Sequence, residues 1–302
     1  MKALCLQGGG ILGYGQSVML SELESGLNSP SSGLFDIIGG TSVGSIVGAH
    51  LALGIPASTC KQFFTTHSPL IFKKNWLSLI SVLWGAKYNS SIIEAKLQEC
   101  LGDATLADCK TRFIATSYDW ATDRPVYFKS FEKSSETKDW VVLGYDSPIK
   151  LWQVCRASSA AQTYFPAYKY QDMILMDGGN IGDNACDMLV ISECAQIAPL
   201  TEWQVLSLGA GDTVWKERPS LMVNPSAAVA GLATIKIIFS AGESSDVYKA
   251  YQILGDKNYL RVSPDLGNGY AIDDASVKTL NALGAAADKA GILKLFKDSF
   301  GA

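Results

Sequence analysis

Phe35-Asp36-Ile37-Ile38-Gly39-Gly40-Thr41-Ser42-Val43-Gly44-Ser45 is the stretch that decides how the chain is read. An apolar run delivers a serine into a turn between Gly40 and Gly44, and Ile46, Val47, Ala49, Leu51 and Ala52 continue as the apolar positions of a helix. Strand, tight turn and helix with serine at the apex lift a hydroxyl clear of its neighbours, because flanking side chains would collide in so tight a turn. The pattern also arises by chance, so its weight depends on what else the chain brings.

Upstream, the short apolar strand Ala3 to Leu6 ends at Gln7-Gly8-Gly9-Gly10-Ile11-Leu12-Gly13, and Val18, Leu20, Leu23 and Leu27 then mark a helix with Glu22 and Glu24 outside. Residues 1–54 therefore read as a β-α-β-α start to a mostly parallel sheet, closed by Gly54-Ile55-Pro56. Downstream, 57–100 reads as a helical insertion. Thr111 to Tyr118 and Val126 to Phe128 alternate as strands around a turn at Asp123-Arg124-Pro125, and Phe131 to Asp139 as a solvated excursion. A helix from Leu151 to Ala161 precedes a compact buried strand, Met173 to Met176, which stops at Asp177-Gly178-Gly179. A helix over Leu189 to Ala198 and a buried strand from Trp203 lead to Gly209-Ala210-Gly211. Beyond residue 211 the pattern gives a helix from Ala227 to Leu254, a strand from Asn258 to Val262 and two helices to Phe300, with no motif. No repeat or linker divides residues 1–302, so one α/β domain is expected, its C-terminal helical part, 212–302, the least defined.

The 302 residues are 48% hydrophobic and 18% charged, with a net charge of −4, which gives no global attraction to nucleic acid. Seven scattered cysteines without a C-x-x-C pair argue against a disulfide framework or a zinc site, and no metal or cofactor is expected. The N-terminus reads as a strand and not as a signal peptide, and the apolar run from Pro219 to Ile235 is broken by Asn224 and Pro225. A soluble, cytoplasmic protein is expected. Peripheral membrane contact is raised by Leu70 to Trp84, where Lys73, Lys74, Trp76 and Trp84 interrupt an apolar majority as in an interfacial helix; a helix packed on the core is the alternative.

Three chemistries compete for the glycines and the serine. Gly8-x-Gly10-x-x-Gly13 satisfies the dinucleotide fingerprint, but the following strand should end in an acid, and its acid, Asp36, stands at the beginning while its end is the serine elbow. A Ser-His-Asp triad needs a histidine, and only His50 and His67 exist, both shortly after the serine. On a continuing helix His50 lies about 12 Å along the axis from Ser42, out of reach, while His67, outside the elbow helix, is not excluded by geometry, a surface or core histidine being the alternative. The third chemistry sets a carboxylate directly on the serine. Asp177 ends a strand, is followed by two glycines that leave it uncovered, and belongs to the sheet edge where strand ends gather; a plain Asp-Gly-Gly turn is the bland alternative. Partial burial would raise its pKa toward that of a useful base. The loop Gly8-Gly9-Gly10, at a helix N-terminus on the same edge, can turn backbone N–H groups toward an oxyanion.

Together these stretches resemble the patatin-like phospholipases, over most of residues 3–211. The glycine loop resembles that family's oxyanion loop, Gly40-Thr41-Ser42-Val43-Gly44 its nucleophile motif and Asp177-Gly178-Gly179 its base motif. Arg156 to Pro166 and Leu206 to Gly211 are similar to two further family segments. Gln7 stands where the family often has Asp, Leu12 where a cation is common, and Asp183-Asn184-Ala185 where Asn-Asn-Pro is usual. The resemblance implies a three-layer α/β/α fold with a mostly parallel central sheet, distinct from the Ser-His-Asp α/β-hydrolases. It implies a lipid acyl hydrolase of phospholipase A or lysophospholipase type, with Ser42 as nucleophile, Asp177 as base, Gly8, Gly9, Gly10 and Ile11 around the oxyanion, and a phospholipid or other acyl-ester lipid as substrate. A catalytically silent or effector-regulated lipid- or partner-binding module on the same fold is the alternative. The Ser42 and Asp177 side chains are expected within about 2.6–3.2 Å, or slightly further apart at rest.

Overall fold

The computed structural model describes residues 1–73, 85–211, 227–267 and 269–301, and for 227–241 the backbone path only. Among these residues ten strands form one mixed sheet. Its centre is β1 (Lys2–Leu6), paired in parallel with β2 (Ile37–Gly40) on one side and with β9 (Gln204–Leu208) on the other. Parallel pairing extends outward to β10 (Tyr259–Val262) beyond β9 and to β3 (Arg112–Asp119) beyond β2. Past β3 the sheet turns largely antiparallel, through β4 (Arg124–Lys129), β6 (Val141–Leu143) and β5 (Ser135–Glu136), while the hairpin of β7 (Tyr168–Tyr170) and β8 (Met173–Asp177) also joins β3.

The alternation of side chains along a strand makes the three layers. Leu4 and Leu6 of β1 face a core shared with the helices α1 (Gly13–Leu27), α3 (Val43–Ala52), α4 (Ala57–Ile71), α9 (Val277–Lys289) and α10 (Ile292–Phe300). Ala3 and Cys5 face the second core, with α7 (Asp187–Ile197) and the described part of α8 (Ala227–Asn258). Both sets are fully buried, and each leucine so placed contributes about 1.5–3 kcal/mol. The remaining helices are α2 (Ser31–Leu34), α5 (Ser90–Leu101) and α6 (Leu151–Ser158).

Local departures from the pattern have physical causes. Met173 to Met176 alternates, with Leu175 buried and Ile174 40% exposed, because β8 lies in an antiparallel hairpin with one face open and is not a strand buried on both sides. Pro125 sits inside β4, opposite Tyr118, and not in the turn. Glu24 does not simply face solvent: its carboxylate accepts the N–H of Ser31 and of Ala57, each at 2.8 Å, and so caps the starts of α2 and α4. Of the expected interfacial stretch, Lys73 follows α4 and is exposed, while Lys74, Trp76 and Trp84 lie outside the described residues. Among the described residues no helix is long and apolar enough to cross a membrane.

Candidate active site

Ser42 leaves β2 with φ 55° and ψ −124°, a conformation that costs a side-chain-bearing residue about 1–3 kcal/mol and persists only where the surroundings impose it. Here they do. A Cβ on Gly40 would strike the carbonyl of Gly44, and one on Gly44 would strike that of Leu6. The turn closes through the N–H of Gly44 on Thr41 O at 2.8 Å and that of Ser45 on Ser42 O at 2.9 Å, while the N–H of Ser42 donates to Ser158 Oγ at 2.9 Å.

The candidate base, Asp177, arrives from the opposite direction. Along 114–119, β4 occupies one edge of β3, so β2 and β8 share the other, β2 running with β3 and β8 against it. Gly40 pairs with Ala115 and Asp177 with Ser117. The two strands thus meet head-on, separated in register by one residue, Thr116. The Thr116 hydroxyl lies 2.9 Å from that of Thr41, and a Cβ on Gly178 would collide with Thr116. The expectation that parallel strand ends gather both groups therefore needs amending: Ser42 is delivered by a parallel strand, Asp177 by an antiparallel one.

Asp177 is fully buried. Its Oδ1 accepts the N–H of Gly179 at 2.9 Å, and its Oδ2 has no hydrogen-bond partner among the described residues. Burial raises its pKa to about 7, against the opposing pull of the Gly179 N–H and the Ser42 hydroxyl. The hydroxyl is thus near enough to act on the carboxyl, yet no hydrogen bond of ordinary length and angle joins the two. Asn180 braces the turn by donating from Nδ2 to Asp177 O at 2.7 Å.

The glycine loop closes the third side. The N–H of Gly8 donates to Asn184 O at 2.9 Å and that of Ile11 to Ile272 O at 2.8 Å, so two of the four expected donor positions are occupied. Among the described residues the amides of Gly9 and Gly10 have no acceptor. Gly10 has φ 59° and its Cα faces the carbonyl of Ile272, an approach only glycine allows. Asn184 Oδ1, buried beside Gly8, lacks a partner among the described residues.

Ser42, Asp177 and Gly8 to Gly10 line one cavity of about 760 Å³, within the usual range for small-molecule sites. Phe63, Phe64, Ile71, Phe72, Ile93 and Phe165 form its apolar wall. Neither histidine lines it. His50 is buried with Nδ1 at 2.8 Å from Ile46 O, and His67 packs edge-on against Phe63.

Residues 4–190 match the family profile described as patatin-like phospholipase. The chain belongs to the patatin-like phospholipase family. Its relatives include a cGAMP-activated phospholipase of Pseudomonas aeruginosa, 29% identical over 93% of this chain and 84% of that protein, and Patatin-T5 of Solanum tuberosum, 28% identical over 94% and 81%. The crystal structure of VipD from Legionella pneumophila is similar in fold, with a TM-score of 0.51 and 12% identity over 99% of this chain and 67% of that one. The patatin-like reading of the fold and family thus holds.

Several residues at this patatin-like site carried no signal in the sequence. Ile272 and Asp273 belong to a segment that crosses the glycine loop, and Asp273 is held there by Lys87 and by the Tyr88 hydroxyl at 2.7 Å. Arg261 stands behind the loop on β10. Asn184 alone lay in a stretch already singled out.

Proposed function

We propose that this patatin-like protein hydrolyses fatty-acyl esters of lipids through a Ser42-Asp177 dyad. The observation that carries the reading is the carboxylate oxygen of Asp177 that has no partner among the described residues, buried beside a serine held at positive φ on the floor of an apolar cavity. Asp177 Oδ2 accepts the Ser42 proton as Oγ attacks the ester carbonyl. The amides of Gly9 and Gly10, the two without acceptors among the described residues, donate to the oxyanion. Collapse releases the alcohol, which takes the proton from Asp177, and leaves an acyl-serine. Water, giving its proton to Asp177, then frees the fatty acid and restores Ser42. These steps use side chains and backbone of this chain alone. The aromatic wall of Phe63, Phe64 and Phe165 supports an acyl chain as the part of the substrate held.

Ser42→Ala, shown to be folded, should lose hydrolysis of a fatty-acyl ester and labelling by a fluorophosphonate. Wild-type rates in that variant would refute the dyad. A second reading puts the same site under an effector: two relatives, of Pseudomonas aeruginosa and Escherichia coli, are named as cGAMP-activated, and Ile272 sits on the glycine loop with the Ile11 amide engaged. Hydrolysis measured with and without cGAMP separates a gated enzyme from a constitutive one. Membrane contact through Lys73, Lys74, Trp76 and Trp84 is part of the same proposal. Unchanged liposome co-sedimentation of a Trp76→Ser/Trp84→Ser variant would remove it.

A further inference from the structure

Arg261 lies behind the glycine loop with its side chain only 16% exposed. Its guanidinium donates to Gln7 Oε1, to Ser207 Oγ at 2.8 Å and to Glu243 Oε1 at 3.0 Å, and Asp187 Oδ2 stands 4.0 Å away. The same Gln7 oxygen accepts the N–H of Ala210 at 3.2 Å. Both groups facing that atom are donors, so the Gln7 amide can sit in one orientation only. The Gln7 backbone is fixed as well: its N–H donates to Leu208 O at 3.2 Å, and its carbonyl accepts Gln16 Nε2 at 3.0 Å. Gly8, Gly9 and Gly10 follow directly.

A guanidinium enclosed to this degree is costly to bury unless its partners hold fixed geometry, and the planar fork of arginine suits several acceptors at once. Here they come from the end of β1, from β9, from α8 and, at 4.0 Å, from the first residue of α7, whose carboxylate also accepts the Tyr259 hydroxyl at 3.1 Å. The loop has no cation of its own, since Leu12 occupies its far end. On the other side, Gly242 of α8 packs against the backbone of Gly182, just past Asp177-Gly178-Gly179.

We propose that Arg261 is the positioning residue of the glycine loop: through Gln7 it aims the Gly9 and Gly10 amides, and through Glu243 it ties that aim to α8. The proposal rests on the acyl-hydrolase reading above. Arg261→Gln, Gln7→Leu and the double variant, as full-length chains below their melting temperatures, are compared on a soluble fatty-acyl ester, with Ser42 labelling by a fluorophosphonate followed in time. Each single variant should lower kcat about 10- to 100-fold with KM within about twofold, because a small misaim of donors acts on the transition state. The double variant should be no slower than the slower single one. Arg261→Lys, which keeps the charge and loses the fork, should fall between wild type and Arg261→Gln. A merely structural Arg261 would lower the melting temperature and leave kcat per folded molecule unchanged, and independent action would make the two losses multiply; either result overturns the proposal. Should Arg261→Gln fail to fold, Arg261→Lys takes its place in the same cycle with Gln7→Leu. Wild-type protein that neither labels at Ser42 nor turns over ester, with or without cGAMP, would refute the acyl-hydrolase reading instead, so the two failures are distinguishable.

Discussion

The serine elbow and the glycine loop flank the same carboxylate, yet they are held in opposite ways. The elbow closes on itself, through bonds among Thr41, Ser42, Gly44 and Ser45 and through glycines against neighbouring backbone. The loop has few such bonds. Its amides and the side chain that precedes it are engaged by Asn184, Ile272 and Arg261, the last 254 residues away in the chain. The elbow also draws on the Ser158 hydroxyl and the Leu6 carbonyl, but most of its closure lies within five residues, whereas the loop has the shape that distant segments impose on it.

The largest expected effect comes from the group both regions face. Asp177→Asn keeps the shape and removes the proposed base, so kcat should fall about 10³-fold or more while both regions stay folded. In the wild type the acid limb of kcat/KM should have its midpoint at about 7, activity rising with pH as Asp177 loses its proton. Stability should run the other way. The folded pKa lies above the unfolded value of 3.8, so the stability contributed by the protonated carboxyl is complete below about pH 4 and is lost as pH rises through 7. Asp177→Asn should therefore gain on wild type, by on the order of a few kcal/mol, in denaturant unfolding above pH 7. A pH-independent difference would contradict the buried, protonatable carboxylate.

Gly10→Ala probes the loop against its distant support. The new methyl meets the Ile272 carbonyl at a positive φ, so the loop must shift, and kcat should fall about 10²-fold with Ser42 labelling slowed in parallel. Full activity there would show that the loop is as self-sufficient as the elbow. Asp273→Asn is milder: weakening the contacts to Lys87 and Tyr88 should cost about 1–3 kcal/mol, read as a lower melting temperature, with a smaller loss of activity than Gly10→Ala. His67→Ala should be the smallest, leaving kcat within about twofold and the acid limb in place, since this ring does not line the cavity. Loss of the limb in that variant would reopen a histidine mechanism.

The same contrast explains what was legible beforehand. Ser42, Asp177 and the glycines could be picked out as candidates because a tight turn or a close backbone approach demands glycine at fixed spacing, and because the scarcity of histidine, with His50 out of reach, made a carboxylate the base worth weighing. Which loop amides stay open could not be read, since that depends on the carbonyls of Asn184 and Ile272, contributed by segments with no motif. Glu24 shows the limit on a smaller scale. Its place on an outer helical face was visible, but its capping of α2 and α4 depends on where those helices dock.

By itself the sequence determined the order of strands and helices near the N-terminus, the layered α/β class and the residue types able to do acyl chemistry, because these follow from periodicity and from steric demands a few residues long. Only the tertiary structure decided that β8 runs against β3 and meets β2 head-on at Thr116, that Asp177 is dry enough to reach a pKa of about 7, and that Arg261 and Ile272 grip the glycine loop. Those properties belong to pairings and burial between distant segments, which short-range patterns do not encode.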